Sequence, residues 1–207
     1  MGAAGTANAT PNRFERRRQR SRQALIDAAI ELFQERGLRE TKLEEICGRA
    51  DVAPRTFFNH FETREHLYEA IAHQRAAQSA ALLDALCADE RPLAKRFTEL
   101  FVRIGAYLDG QPIYRELVGE MLRLRHGSGS DFVRTGVLGA AALRFVKDGV
   151  RRREIGRRHR PEVLADLLLG ALTVAIGNWS AGEEDDLEAA LGDSARALLE
   201  VFATGRK

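Results

Sequence analysis

Residues 51–67 read DVAPRTFFNHFETREHL and crowd three phenylalanines and a histidine into Phe57–Phe61. Pro54 stands just ahead of them, suited to the first position of a helix, where its missing N–H has no partner to lose. So short a run cannot be an independent core helix. Phe57 and Phe61 lie four apart and can share one buried face. Arg55, Thr56, Asn59 and His60 are then left facing outward. The stretch predicts a short helix over about 54–60, anchored on one side and presenting polar groups on the other.

The flanking residues place that helix. Leu25, Ile26, Ala29, Leu32 and Phe33 recur along one face of a helix that Gly37 ends as a C-cap. Thr41-Lys-Leu-Glu44 reads as a capping box, so a second helix starts at Lys42 with Leu43, Ile46, Cys47 and Ala50 inward. Asp51-Val52-Ala53 is a tight turn to the third helix. Thr63 caps a long fourth helix reaching about Cys87. Two helices joined by a short turn, after a first helix, describe a helix-turn-helix, whose second member enters the major groove of DNA.

Helical spacing continues to the end. After the loop ADERP come helices near 92–108, 112–125 and 130–152, with HGSGS breaking the second from the third. Pro161 opens a helix whose apolar face reads Val163, Leu164, Leu167, Leu168, Ala171, Leu172, Ala175, Ile176 and Trp179. Asp185 or Asp186 opens the last, with Leu187, Leu191, Leu198 and Phe202 inward. No stretch alternates with period two. The expectation is all-α, with roughly nine helices.

Bulk properties narrow the class. With 44% hydrophobic residues over 207 positions, a core of adequate size is expected. No run of about 18 apolar residues occurs, so no membrane span is expected. The first residues lack the apolar region of a secretory signal. Cys47 and Cys87 form no CxxC pair, which fits reduced thiols and a cytoplasmic protein. Arg13, Arg16, Arg17, Arg18, Arg20 and Arg22 face only Glu15, and residues 1–20 read as a disordered basic arm. A second cluster, Arg151, Arg152, Arg153, Arg157, Arg158 and Arg160, is opposed only by Glu154. His60, His66, His73, His126 and His159 show no metal-ligand spacing beyond His66 and His73 sharing a helix face. There is no HExxH, GxSxG or glycine-rich phosphate loop, so neither catalysis, metal nor cofactor is expected.

Residues 21–67 resemble the TetR family of bacterial one-component regulators. The matching features are ALIDAAIELFQERGL, then TKLEEICGRADV opened by Thr41, then VAPRTFFNHFETREHL. The last follows the family's Val-Ser, variable pair, Thr, two apolar or aromatic residues, variable residue, His-Phe and Ser-Lys-Glu-x-Leu. RPEVLADLLLGALTVAIGNW resembles the family's penultimate helix more loosely. Three positions depart from the pattern: Ala53 for a capping Ser or Thr, Phe58 for a common Tyr, and Arg64 for Lys.

The resemblance implies a helix-turn-helix domain over 21–66 and a ligand-binding and dimerisation domain over 67–207. Thr41, Lys42, Arg55, Thr56, Phe58, Asn59, His60 and Arg64 would meet double-stranded DNA. The last two helices would pair with their mates, setting two reading helices one DNA turn, ~34 Å, apart on a palindromic operator. Phe97, Phe101, Ile104, Tyr107, Leu108, Tyr114, Leu117, Met121, Phe132, Phe145 and Trp179 would line a small-molecule pocket. Few charges punctuate that stretch, which points to an uncharged or amphipathic effector. Repression is the family's usual mode. A DNA-binding protein without an effector, acting through a protein partner, is the alternative.

Overall fold

The computed structural model describes residues 12–111, 113–124 and 136–203. The chain divides into two compact units, Met1–Leu67 and Tyr68–Lys207. Among the described residues the helices are α1 (Arg13–Arg36), α2 (Leu43–Arg49), α3 (Pro54–Phe58), α4 (Arg64–Ala88), α5 (Leu93–Asp109), α6 (Ile113–Leu124), α7 (Val137–Arg151), α8 (Pro161–Ala181) and α9 (Leu187–Phe202). The β pairing among them is a single bridge, Ile155 to Ala203. All-α is therefore the observed class.

In the N-terminal unit, α1 buries Leu25, Ile26, Ala28, Ala29, Leu32 and Phe33. Gly37 ends it with φ of 87°, a value that favours glycine, and its N–H donates to the Phe33 carbonyl at 2.9 Å. Arg49 of α2 reaches back to Glu31 and Glu35 of α1 at 3.1 and 2.9 Å. Ile46 and Cys47 of α2 are buried. Asp51, at φ of 52°, makes the left-handed step in the turn between α2 and α3.

Two expectations for this unit need correction. The basic segment is not an arm from residue 13 onward, because α1 already begins at Arg13. Asn12 accepts from the Glu15 N–H at 2.9 Å and the Glu15 carboxylate accepts from the Asn12 N–H at 2.8 Å. That reciprocal cap starts a helix through good helix formers, arginine and glutamine. Residues 1–11 lie outside the described part. Second, Thr41 does not cap α2. Lys42 is the N-cap and the Glu45 carboxylate accepts its N–H at 2.9 Å.

In the C-terminal unit, α5 packs on α9, while α6, α7 and α9 pack on α8. Phe97 stands among Phe101, Phe202 and Phe145, with ring centroids 5.2, 5.3 and 6.3 Å away. Arg96 is fully buried beside them. It donates to the Leu86 carbonyl at 3.1 Å and the Arg91 carbonyl at 2.9 Å, and pairs with Asp148 and Glu154. So complete a set of partners is what lets a guanidinium sit in a core. Of the helix expected at 130–152, the described part is α7, and Phe132 falls outside it.

α8 has a mean hydropathy of 1.5 over its most apolar stretch, so it is long and apolar enough to cross a bilayer by composition. Its inner face, Leu164, Leu168, Leu172 and Trp179, is instead part of the helical core. Val163 and Leu167, expected inward, are exposed, as is Val174. The apolar surface of α8 exceeds what its own unit covers.

Candidate DNA interface and ligand cavity

The five residues of α3 owe their helical state to burial, because a helix this short has negligible stability alone. Phe57 and Phe61 are buried, with centroids 5.4 Å apart. The Arg22 guanidinium lies 5.1 Å from the Phe61 centroid. Pro54 occupies the first turn, and Ala53 at the N-cap gives no side-chain hydrogen bond. Arg55, Phe58 and Asn59 are exposed and Thr56 is half-buried. The Phe58 ring, 54% exposed, stands edge-on to Phe57 at 5.4 Å. One short helix thus holds rings inward and a guanidinium, an amide and a phenyl ring outward.

The second site is a cavity of about 430 Å³ wholly within the C-terminal unit. Its wall draws on α4 (Ala72, Arg75, Ala76, Gln78, Ser79, Leu82) and α5 (Arg103, Ile104, Tyr107, Leu108). It continues through α6 (Tyr114, Leu117, Val118, Met121), α7 (Leu138) and α8 (Leu169, Leu172, Thr173, Ile176). The Tyr107 and Tyr114 hydroxyls are hydrogen-bonded at 2.6 Å. Burial foremost, and then the bond to Tyr107, pushes the Tyr114 phenol above its ordinary value, so it stays protonated.

A family model for bacterial regulatory proteins of the tetR family matches residues 25–71. The HTH-type transcriptional regulator TcmR of Streptomyces glaucescens is 34% identical over 103 residues, which cover 49% of this chain and 45% of TcmR, under half its length. The HTH-type transcriptional repressor DhaR of Mycobacterium sp. (strain GP1) is 30% identical over 167 residues, 75% of this chain and 80% of DhaR. The chain belongs to the TetR family. RolR, solved in complex with resorcinol, shares its fold with a TM-score of 0.70 at 22% identity, over 92% of this chain and 91% of that one.

As a TetR-family chain it is a transcriptional regulator with a DNA-binding helix-turn-helix. Of the residues expected at the DNA, Lys42, Arg55, Phe58 and Asn59 are exposed and Thr56 half-buried. Thr41 is buried, and its hydroxyl turns inward to the Gly37 and Leu32 carbonyls at 2.8 and 3.3 Å. Through that hydroxyl it staples α1 to the loop. Arg64 likewise folds back: it donates to the Leu38 carbonyl and lies 5.7 Å from the Phe33 centroid. His60 is half-buried against α1, its Nε2 2.9 Å from the Ser21 hydroxyl. Burial, then the Arg18 and Arg22 charges, lowers its pKa, so its ring rests neutral against α1.

Of the residues expected around a ligand, Ile104, Tyr107, Leu108, Tyr114, Leu117 and Met121 come together on the cavity wall. Phe97, Phe101, Phe145 and Trp179 do not, because all four are spent on the helix–helix core. Sequence reasoning missed the whole α4 wall and the α8 wall. On α4, Ala72, Ala76 and Ser79 follow helical spacing, and a stripe of small side chains leaves room that large ones would fill. Among the described residues no group of His, Cys, Asp or Glu side chains could hold a metal ion.

Proposed function

We propose that this regulator is a ligand-responsive repressor that binds a palindromic operator as a homodimer and leaves it when a small, amphipathic effector enters the C-terminal cavity. The observation that carries the reading is α3, where buried Phe57 and Phe61 brace an outward Arg55 and Asn59. Arginine can bond guanine O6 and N7 together, and asparagine adenine N6 and N7. Lys42 and the exposed arginines of α1 suit phosphates. The outward stripe Val163, Leu167 and Val174 of α8, with Val201 of α9, supports pairing through the last two helices. The cavity favours an effector over recruitment of a protein partner, and the fold shared with resorcinol-bound RolR favours it too.

Release then requires that the effector bind the non-reading state of the dimer more tightly than the reading state. The test is selection of bound duplexes from a random pool, followed by fluorescence anisotropy with wild type and Arg55→Ala. Loss of a bidentate base contact removes about 1–3 kcal/mol of discrimination. Arg55→Ala should bind the selected duplex no better than a scrambled one while its oligomeric state is unchanged. Undiminished affinity would overturn the placement of the reading face.

A further inference from the structure

The cavity wall is apolar apart from a few groups, and one of them is a cation. Arg75 of α4 lies over Tyr107, its guanidinium carbon 3.5 Å from the ring centroid and 5.5 Å from that of Tyr114. The other lining arginine, Arg103, is held by Glu99 at 2.7 Å. Among the described residues no carboxylate pairs with Arg75. A guanidinium carries five N–H donors; the Tyr114 hydroxyl accepts from Arg75, and the ring faces meet its charge without accepting the other donors. The neighbouring phenols add one more donor: two hydroxyls 2.6 Å apart share one hydrogen bond, which leaves the second O–H hydrogen for another acceptor.

A guanidinium that meets phenols and no carboxylate, on one side of an apolar chamber, defines a ligand by complement. We propose that the effector is an organic carboxylate with an apolar body. Its carboxylate sits on the Arg75 guanidinium and the remaining phenolic O–H of the Tyr107–Tyr114 pair, and its body lies along Leu117, Met121, Leu172 and Ile176. This deepens the effector reading above and rests on it. A volume of about 430 Å³ suits a small molecule. A neutral occupant of the same shape would shield Arg75 from water without supplying a counter-charge. Of the uncharged or amphipathic effectors that the middle helices suggested, the anion preference selects an amphipathic one, because the cation comes from α4.

The test is isothermal titration of the full chain with 4-phenylbutyrate and 1-naphthoate, each beside its neutral primary amide. A hydrogen bond to a charged group predicts that the acids bind roughly tenfold to a hundredfold more tightly. Arg75→Met, which keeps length and apolar bulk, should abolish that preference, the acids losing far more affinity than the amides. Amides that bind wild type as tightly as the acids would sink the carboxylate assignment alone, as would an acid preference surviving in Arg75→Met. If neither series binds in the millimolar range while the chain still recognises its selected duplex, the effector reading falls and the assignment with it. The wild-type comparison decides even if Arg75→Met does not fold.

Discussion

Truncating Phe57 to alanine separates bracing from reading. The ring is 1% exposed and contacts Phe58 and Phe61, both at 5.4 Å. Removing a buried phenylalanine costs about 3–5 kcal/mol. α3 cannot absorb that loss, because it spans five residues and has no side-chain cap. The cost falls on the docking of the segment, which opens from a free energy no greater than the global stability of about 5–15 kcal/mol. The amides that report docking are Asn59, His60 and Phe61, which donate to the Arg55 and Phe57 carbonyls at 2.8–3.2 Å. Their hydrogen exchange in the full chain should accelerate by roughly a hundredfold to several thousandfold. Operator affinity should fall as well, in proportion to the undocked fraction. Arg55→Ala is the control: its exchange should match wild type while its specific affinity drops. Wild-type exchange in Phe57→Ala, or an unchanged operator affinity once exchange is fast, would refute the idea that the rings hold the reading face in place.

Other outcomes follow from the same fold. Leu167→Glu puts a charge on the outward stripe of α8 and should leave a monomer by sedimentation at micromolar concentration; a persisting dimer would remove that stripe from the subunit contact. Arg96→Met leaves Asp148 to Arg151 and Arg152 and Glu154 to the Leu93 N–H, but it removes the buried donors to both carboxylates and to the Leu86 and Arg91 carbonyls, so the urea midpoint should fall by the equivalent of about 1.5–3 kcal/mol. Arg91→Met, at a half-exposed arginine paired with Asp89 and Glu99, should cost less than about 1 kcal/mol. Equal losses in the two would show that burial is not what sets the cost. His60 is held below its ordinary value of 6.5, so the unfolded chain takes up this proton first on acidification. Its contribution to stability is complete above that value and is lost as pH falls towards the folded pKa. Melting of His60→Gln should therefore vary less with pH across this window than melting of wild type, and identical slopes would contradict the assignment.

How much of this was legible from residues depended on whether apolar spacing carried the information. Leu25, Ile26, Ala29, Leu32, Phe33, Phe57 and Phe61 were readable because each is large, periodic and inward. α1 was read too short because Arg13–Arg20 has no apolar stripe; its start is set by Asn12 and Glu15, a polar device. Thr41 was misassigned because the same hydroxyl can cap the helix that follows or tie back to the one before, and the choice lies in tertiary geometry. The aromatic residues of the middle helices were divided wrongly between core and cavity for a related reason. Phe97, Phe101 and Phe145 find rings to pack against, whereas the cavity is bounded by what α4 lacks. Arg75 drew no notice at all, since a lone arginine on a long helix ordinarily faces water.

The uncovered strip on α8 also governs how this chain must be handled. In the proposed dimer a twin covers the face formed by the exposed Val163, Leu167 and Val174. Mass action then ties the melting point to the amount of chain present. Dilution alone should lower it, with no change of sequence, salt or temperature, and two laboratories working at different concentrations would report two different proteins.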